Sequence, residues 1–402
     1  VRARLGPLFH ISFQIRINPD TINGVCHVKR LSITVIALAL LAPIVPATAA
    51  PKAQNEWATT HKIVYVALTP KDQPNFWTEN QVDTMTATTD GEMLSFAKET
   101  VKNAITFWKQ NSRGKMKFTT SKFYIGKPGT AIERCNPDAD IKAGMKIAGL
   151  KTIPIGTHIV VVNIYDSCGY AGLGSQEGNA INLRSFGTTT LIHELGHNFG
   201  YRHSSTMYCK GSDYTKFNAT NCSVEEYGDF RDLMGNDDWC PGTTLSATQR
   251  ATIFRTPLAK TLKTGVDITV DESKQVTDNI LYQFSYKGTW YFFEYYIPGQ
   301  DRCMTFTHLL DKPQLQLRMI GPTWTTAQGN AVGPILIARS GSDLPAGEPV
   351  LDEDGEPILP PLYGTTLTGF QAGEVFKLPG APYTLTVKST GETNAVFTLT
   401  KN

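Results

Sequence analysis

The sequence carries little charge, and its charges are nearly balanced. Lys and Arg number 38 and Asp and Glu number 36, which gives the 402-residue chain a formal net charge of +2. Only 18% of the residues are charged, compared with about 25% in a typical soluble domain. A nucleic-acid-binding domain needs a strongly basic surface, which this composition does not supply. We therefore expect no nucleic-acid partner.

The chain also lacks the signatures of several common function classes. It has no P-loop, no glycine-rich dinucleotide-binding run, no internal repeat and no C-x-x-C pair. These absences argue against a nucleotide-binding enzyme, a repeat protein, and a zinc-ribbon or thiol-redox protein. Apolar residues make up 41% of the chain and aromatic residues 10%, which is enough to bury a core and excludes wholesale disorder.

The longest apolar run has the pattern of a secretory signal peptide. The run Leu31–Val45 follows Lys29 and Arg30 and precedes a small-residue cleavage sequence, Ala47–Ala49. A membrane anchor is the alternative, but a spanning helix needs about 20 apolar residues, and this run is shorter and contains proline. We expect residues 1–49 to be a leader whose removal leaves a secreted, extracellular protein without a membrane anchor.

The start and the charge of the exported chain follow from this interpretation. The first methionine is Met85, and a compact signal peptide would begin at Val28, so we expect the true start at Val28. Residues 1–49 contain five Lys or Arg residues and one Asp, so their removal reduces the counts from 38 and 36 to 33 and 35. The exported chain would therefore have a net charge of −2.

Six cysteines follow the leader, an even number that is typical of exported proteins with disulfides. We expect up to three disulfides, and the sequence leaves their pairing open. The six residues are Cys135, Cys168, Cys209, Cys222, Cys240 and Cys303.

The centre of the chain contains the motif H-E-x-x-H-x-x-G-x-x-H, formed by His193, Glu194, His197, Gly200 and His203. His193 and His197 are four residues apart, so on a helix their rings share one face and can bind one metal ion. Gly200 can adopt a positive φ, which ends the helix and allows His203 to return as a third ligand. Three imidazoles with an open fourth position are typical of a catalytic zinc, and Glu194 is placed to reach a water on that metal. A structural zinc would instead have four Cys or His ligands.

This motif resembles that of the metzincin zinc peptidases. Two further stretches are similar to the gametolysin family of metzincins: Glu226–Gly235, which reads E-Y-G-D-F-R-D-L-M-G, and Cys168–Gly174, which reads C-G-Y-A-G-L-G. The resemblance covers about residues 60–260. It implies a catalytic domain with a twisted mixed sheet and an active-site helix. It also implies that Met234 is the methionine of the Met-turn beneath the metal, which shapes the site without binding the ion.

The same resemblance gives a role to the glycine-rich stretch before the motif. It implies that Ala171, Gly172, Leu173 and Gly174 form the upper edge strand of the sheet, which pairs with an extended substrate. A mobile loop is the alternative, and the sequence favours neither. Asn236 stands where astacin- and serralysin-type metzincins have a tyrosine, so no tyrosine fifth ligand is expected.

Hydrophobic periodicity predicts the elements around the motif. Residues 61–68, 117–125 and 157–164 are rich in β-branched and apolar side chains and predict strands. Residues 92–110 have the period of a long amphipathic helix. Residues 246–249 form a capping box, S-x-x-Q, which predicts the start of another helix.

The pattern changes to short alternating strands in the last third of the chain. These strands are predicted at residues 266–270, 281–286, 291–297, 315–319, 383–387 and 395–400, the last two joined by a turn at 389–391. The predicted fold class is therefore α+β. It comprises a leader (1–49), a metzincin-type catalytic domain (50–262) and an all-β, sandwich-like C-terminal domain (263–402).

Two features of the predicted C-terminal domain bear on binding. An aromatic run from Trp290 to Tyr296 could contact glycans or matrix, although such runs more often belong to a core. Asp352–Gly355 has the start of a calcium loop but lacks the later bidentate glutamate, so no clear motif supports a structural Ca²⁺.

Together these patterns predict a secreted zinc-dependent endopeptidase that acts on extracellular proteins. One Zn²⁺ would bind to His193, His197 and His203, polarise the substrate carbonyl and activate a water, with Glu194 as the general base. The expected partner is a protein or peptide substrate. Two alternatives stay open: a glycan- or matrix-binding protein with a vestigial peptidase domain, and a zinc hydrolase of non-peptide amides or esters.

Overall fold

The computed structural model describes residues 60–69, 90–128, 135–163, 168–209, 222–229, 232–235, 245–254, 258–271, 280–296, 314–321, 333–337 and 369–402. All of them belong to one compact unit, Ala53–Asn402. No helix among them is long and apolar enough to cross a membrane. Several sequence predictions lie outside the described residues: the leader 1–49, Asn236, Cys240 and Cys303, and Asp352–Gly355.

The first sheet is mixed, with a single antiparallel strand at one edge. Its six strands are β1 (Thr60–Thr69), β2 (Lys117–Phe118), β3 (Lys122–Pro128), β4 (Thr157–Val162), β5 (Gly172–Gly174) and β6 (Ala180–Leu183). Their order is β2-β1-β4-β6-β5, with β3 also beside β1. All pairings are parallel except that of β5 with β6. Strand β5 therefore ends the sheet and runs against its neighbour.

Helices cover both faces of this sheet. The helix α1 (Asp90–Asn111) shares a hydrophobic core with one face, and α2 (Pro137–Ile147) packs against the other. A third helix, α3 (Thr188–Asn198), joins α1 on the first face. Burial on both sides explains why β1 and β4 are nearly continuous apolar runs, as the sequence predicted.

Helices α1 and α2 differ in how clearly their sequences predict them. The predicted helix at residues 92–110 is confirmed, and the apolar stripe that predicted it, which includes Met93 and Trp108, is buried. Helix α2 was not predicted. It begins where the side chain of Asn136 accepts a hydrogen bond from the Ala139 N–H at 3.0 Å, with Pro137 in the first turn.

Two more sheets form the rest of the described chain. The seven-stranded sheet has the order β8-β7-β14-β13-β12-β11-β9, and the four-stranded sheet has the order β10-β17-β16-β15. The strands are β7 (Ser205–Cys209), β8 (Cys222–Glu225), β9 (Leu258–Thr261), β10 (Asp267–Asp271), β11 (Ile280–Tyr286), β12 (Thr289–Tyr296), β13 (Gln314–Ile320), β14 (Ile335–Ile337), β15 (Val375–Lys377), β16 (Tyr383–Thr390) and β17 (Asn394–Lys401). Each stretch predicted as a short strand overlaps one of them, with bounds that differ by one to three residues.

These two sheets share one hydrophobic core. Phe293 of the larger sheet stacks on Phe397 of the smaller one, with ring centroids 4.8 Å apart. On its opposite face the larger sheet packs against a fourth helix, α4 (Ala247–Phe254), through Leu281 and Phe292. The coarse prediction of an α+β chain is thereby confirmed.

The aromatic run of β12 lies mostly inside the protein. Tyr291, Phe292, Phe293 and Tyr295 are buried, whereas Trp290 is 40% exposed. Four of these side chains therefore belong to cores, which was the second interpretation of this run. They do not form an exposed aromatic strip.

The seven-stranded sheet contains strands from both sides of the predicted boundary at residue 262. Strand β7 begins two residues after His203, and it pairs in parallel with β14. A disulfide, Cys209–Cys222, joins β7 to β8, and a second disulfide, Cys135–Cys168, joins the start of α2 to the segment before β5. The structure thus pairs all four described cysteines.

Candidate metal centre

Helix α3 carries the first half of the histidine motif and ends where the motif predicts. His193, Glu194 and His197 all lie on α3 and are buried. Gly200 has a φ of +93°, and the Tyr201 N–H donates to the carbonyl of Gly196 at 2.9 Å. This reversal returns the chain towards the helix. The predicted role of Gly200 is confirmed.

The reversal brings the three histidines together. One ligand nitrogen from each of His193, His197 and His203 lies within 4.8 Å of the others. The Nε2 atoms of His197 and His203 are 3.0 Å apart. Two nitrogens on a tetrahedral zinc are about 3.3 Å apart at the usual bond length. The spacing of the cluster is therefore suited to a single metal ion.

Hydrogen bonds on the far side of each ring fix which nitrogen carries the proton. The Nδ1 of His193 lies 2.9 Å from the carbonyl of Leu233, and that of His197 lies 2.9 Å from the carbonyl of Tyr201. A carbonyl only accepts hydrogen bonds, so both Nδ1 atoms must be protonated donors. In the neutral rings Nε2 then carries the lone pair that binds metals.

His203 is held by a carboxylate. Its Nδ1 lies 2.6 Å from Oε1 of Glu226, a distance typical of a charge-assisted hydrogen bond. The Nε2 atom of His203 consequently faces the Nε2 atom of His197 with a lone pair on each. At 3.0 Å the two Nε2 atoms can share either a proton or a metal ion. The convergence of three such nitrogens, rather than this one distance, favours a metal at the centre.

The protein environment keeps these imidazoles neutral. Burial lowers the pKa of His193 to about 3 and that of His197 to about 4, and repulsion from the neighbouring imidazoles adds to both shifts. Burial also lowers the pKa of His203, although Glu226 acts in the opposite direction. Neutral imidazole is the form that binds metal ions, so the cluster is ready to bind at neutral pH.

Glu194 reaches the edge strand of the first sheet. Its Oε2 accepts a hydrogen bond of 2.5 Å from the backbone N–H of Gly174. A Cβ atom on Gly172 would lie 2.7 Å from Cγ and Oε1 of Glu194, so only glycine permits this approach. The structure places Gly172, Leu173 and Gly174 in β5 and Ala171 immediately before it. This stretch is thus a strand at the sheet edge, in contact with the carboxylate of the motif.

Met234 lies beneath α3. It is fully buried, and a Cβ atom on Gly196 would come within 2.5 Å of its Sδ. Its carbonyl accepts a hydrogen bond from the Ser204 N–H at 2.7 Å, and the preceding carbonyl, of Leu233, is the partner of His193. The turn around Met234 therefore contacts the helix and the chain after His203 together. Met207, the other methionine after the motif, lies in the core of the two C-terminal sheets.

Sequence reasoning missed two neighbours of the cluster, Glu226 and Tyr227. Glu226 orients His203, as described above. The ring centroid of Tyr227 is 3.7 Å from that of His203, and its backbone has a φ of +64°. Both residues belong to the E-Y-G-D string that suggested the family resemblance. Their position after β8 gives no spacing that would connect them to a histidine 23 residues earlier.

A second group of histidines lies outside the three-histidine cluster. Nδ1 of His61 is 3.0 Å from Nε2 of His158, whose Nδ1 is 3.0 Å from Oδ1 of Asn198. The side-chain amide of Asn198 donates to the carbonyl of Ser175 at 2.9 Å. This buried chain of polar groups connects β1 and β4 to the end of α3 and to the turn after β5.

A scan of the chain against models of protein families finds no match, and a search of the curated proteins finds none. The residues of the site themselves therefore carry the interpretation. They offer three converging imidazole lone pairs, a carboxylate next to one of them and an open sheet edge in contact with that carboxylate.

Proposed function

We propose that the chain is an exported zinc-dependent endopeptidase of the metzincin type, similar to the gametolysin family. The observation that carries this proposal is the convergence of His193, His197 and His203, with each Nδ1 hydrogen-bonded outwards. Three imidazoles with no fourth protein ligand among the described residues suit a catalytic zinc better than a structural one.

The architecture supports the same proposal. The resemblance implied a mixed sheet, an active-site helix, a turn with methionine beneath the helix and an edge strand beside the site. The first sheet, α3, the turn around Met234 and β5 correspond to these four parts. The two disulfides are consistent with an exported chain.

When bound by these histidines, a zinc ion supplies Lewis-acid polarisation of a carbonyl and lowers the pKa of a water to about 7. In the proposed mechanism Glu194 accepts the proton of the attacking water and returns it to the leaving amine. The hydrogen bond from Gly174 holds Oε2 of Glu194, so the carboxylate keeps one orientation. Burial of Glu194 excludes bulk water from this proton transfer.

The edge strand provides a place for an extended peptide. The Arg184 N–H donates to the Ala171 carbonyl, and the Ser175 N–H donates to the Ala180 carbonyl, so these alternate residues face β6. Backbone groups alternate in direction along a strand, so those of Gly172 and Gly174 face away from β6. The Gly174 N–H donates to Glu194, which leaves the N–H and carbonyl of Gly172 and the carbonyl of Gly174 directed to the sheet edge. We propose that a substrate strand pairs there, which favours peptides over small esters.

The test combines zinc analysis with a cleavage assay on purified chain that begins at residue 50. We expect about one zinc per chain and cleavage of casein or gelatin that a chelator abolishes. Glu194→Gln should retain zinc and lower kcat by about 10²- to 10⁴-fold, because it removes the general base. Glu99→Gln, which makes the same charge change on the exposed side of α1, should not alter the rate.

Three outcomes would contradict the proposal. Cleavage by Glu194→Gln at the wild-type rate would show that Glu194 is not the base. Zinc binding without any hydrolysis would indicate a binding protein with a vestigial peptidase domain. Hydrolysis of small amides or esters without cleavage of a peptide library would indicate a different class of zinc hydrolase.

A further inference from the structure

A fully buried arginine lies at the centre of a network of acidic residues near the metal centre. Arg318, on β13 of the seven-stranded sheet, is 1% exposed. Its guanidinium donates to Oδ2 of Asp229 from Nε at 3.0 Å and from Nη2 at 2.9 Å. Its Nη1 donates to Oε2 of Glu294 at 2.7 Å and to Oε1 of Gln316 at 3.1 Å. A buried charge of this kind persists only because the partners hold it in one geometry.

Asp229 connects this arginine to the third histidine. The same Oδ2 of Asp229 accepts a hydrogen bond from the Ser204 hydroxyl at 3.0 Å. Ser204 directly follows His203, and its backbone N–H donates to the carbonyl of Met234. Asp229 also lies three residues after Glu226, the carboxylate that orients the His203 ring. Asp229 is therefore connected to His203 in two ways: through its hydrogen bond with Ser204 and through the short chain segment that leads back to Glu226.

The neighbouring strand holds the backbone of His203 directly. The Gly333 N–H, just before β14, donates to the carbonyl of His203 at 3.2 Å. A Cβ atom on Gly333 would lie 2.7 Å from that carbonyl oxygen, so a larger residue does not fit. From Ser205 onwards β7 pairs with β14. The third histidine is thus the point where the chain leaves the metal centre and enters the C-terminal sheet.

We propose that Arg318 is a positioning residue for the metal centre. It fixes Asp229, and through Ser204 and the Glu226 segment it sets the position of the His203 ring. The seven-stranded sheet is then part of the metal site. This inference rests on the proposed function only in that it requires the three histidines to bind a metal.

The experiment measures metal affinity and folding separately, on the full chain from residue 50. Arg318→Lys keeps the buried charge but cannot bridge Asp229 and Glu294 with a planar fork. Ser204→Ala cuts the link from Asp229 to the chain beside His203. Leu317→Ala is the control, because Leu317 is adjacent, fully buried and directed into the core between the two C-terminal sheets.

We expect Arg318→Lys and Ser204→Ala to raise the Kd for zinc by about 10- to 100-fold in competition with a chromophoric chelator. Their cobalt(II) absorption spectra should also change, because the geometry of one ligand changes. Leu317→Ala should lower the midpoint of thermal unfolding but leave the zinc Kd within about twofold of wild type.

The results separate this inference from the proposed function. If Arg318→Lys and Ser204→Ala fold and bind zinc with the wild-type Kd and cobalt spectrum, Arg318 has a structural role only and the inference is overturned. If Leu317→Ala weakens zinc binding to the same extent, the effect reports stability and the inference is again overturned. A wild-type chain that binds no metal would overturn both the inference and the proposed function.

Discussion

One of the three candidate ligands, His203, differs from the other two in the kind of group that accepts the hydrogen bond from its Nδ1. Backbone carbonyls hold His193 and His197, whereas the Glu226 carboxylate holds His203. A negatively charged partner makes an imidazole more basic towards a metal, and the loss of such a partner typically costs 10- to 100-fold in affinity. The strength of the third ligand therefore depends on a residue outside the motif.

Glu226→Gln tests this dependence. The amide oxygen can still accept from Nδ1 of His203, but the negative charge is lost. We expect the zinc Kd to rise by about 10- to 100-fold at pH 7.5, measured by chelator competition. Glu392→Gln, an exposed change of the same kind in the turn between β16 and β17, serves as the control. An unchanged Kd in Glu226→Gln would mean that the carboxylate contributes only shape.

The glycines of β5 permit a second prediction. In Gly174→Ala the new Cβ would clash with the backbone carbonyl oxygen of Glu194 and lie 3.0 Å from its Oε2, so both the backbone of α3 and the carboxylate must shift relative to β5. A displacement of about 1 Å can cost about 10²-fold in rate. We expect kcat for peptide cleavage to fall by at least about that order. Zinc content is measured alongside, because the shifted helix α3 also carries His193 and His197.

A matched variant makes this result interpretable. At Gly391 a Cβ atom would meet its nearest neighbour, the Asn394 carbonyl oxygen, at an ordinary 3.5 Å. Gly391→Ala should therefore leave both zinc content and kcat unchanged. Full activity in Gly174→Ala would contradict the close approach of β5 to Glu194.

Among the site residues, the sequence predicts those whose positions depend on short spacings along the chain. The i, i+4 spacing of His193 and His197 and the glycine before His203 were sufficient to predict the cluster. Glu226 and Arg318 could not be predicted, because they meet His203 and Asp229 across 23 and 89 residues of chain. Hydrogen-bond partners from distant elements leave no periodic pattern in a sequence.

At the scale of elements, the candidate site is held by packing between α3 and its neighbours. The end of α3 is joined to β1 and β4 through the buried chain of His61, His158 and Asn198. The edge of Phe199 faces both histidine rings, with centroids about 5 Å away. The imidazole rings in these contacts have to stay neutral, because a buried imidazolium in these apolar surroundings would be poorly solvated.

A dependence of stability on pH follows from this arrangement. Burial lowers the pKa of His158 to about 4; the hydrogen bond with Asn198 opposes this effect, and His61 adds to it. In an unfolded chain the pKa would be about 6.5. Between pH 6.5 and pH 4 the unfolded state therefore binds a proton that the folded state does not. The free energy of unfolding falls as the pH is lowered through this window, by on the order of 3 kcal/mol for this residue.

Denaturant unfolding of metal-free protein between pH 4 and pH 7 measures this effect. His158→Gln removes the titrating group while retaining a polar side chain, so the dependence of stability on pH should be less steep by about one proton. The comparison uses slopes, so an overall loss of stability in the variant does not affect it. His193 and His197 contribute with the same sign in both proteins. Equal slopes would show that His158 is protonated at the same pH in both states.

The helices and strands that could be predicted are those whose sequences have a regular hydrophobic pattern. The apolar runs of β1 and β4 and the stripe of α1 gave clear patterns. The helix start predicted at Ser246 was confirmed, with its hydroxyl accepting from the Gln249 N–H, but the Ser246 N–H donates to Asp232 and the Gln249 side chain to Arg202, so the reciprocal half of the capping box does not form. Strands β7 and β8 were missed. Strand β7 lies between β8 and β14, and β14 is more than a hundred residues later, so one of its two pairings is not encoded by local sequence.

At the scale of the whole molecule, the boundary predicted at residue 262 crosses a continuous sheet. Strands β7 and β8 lie before that residue and pair with strands that lie after it. Helix α4 also lies before it, and the Glu294 carboxylate of β12 accepts hydrogen bonds from the N–H groups of Ala247 and Thr248 at the helix start. The first predicted domain thus relies on the second for backbone pairing, helix capping and the charge of Arg318.

A fragment of residues 50–262 should consequently not reproduce the metal centre. Without β14 the strand after His203 loses one of its two neighbouring strands, and without Arg318 the buried Asp229 carboxylate lacks its counterion, so removal of the C-terminal part exposes both. We expect the fragment to lack a cooperative unfolding transition and to bind zinc at least about 10²-fold more weakly than the full chain. Co-expression with residues 263–402 should recover both properties. Recovery would show that the fragment fails because it lacks the C-terminal part, and not because the fragment itself is irreversibly misfolded. A monomeric fragment with a cooperative transition and the zinc affinity of the full chain would instead establish residue 262 as a true domain boundary.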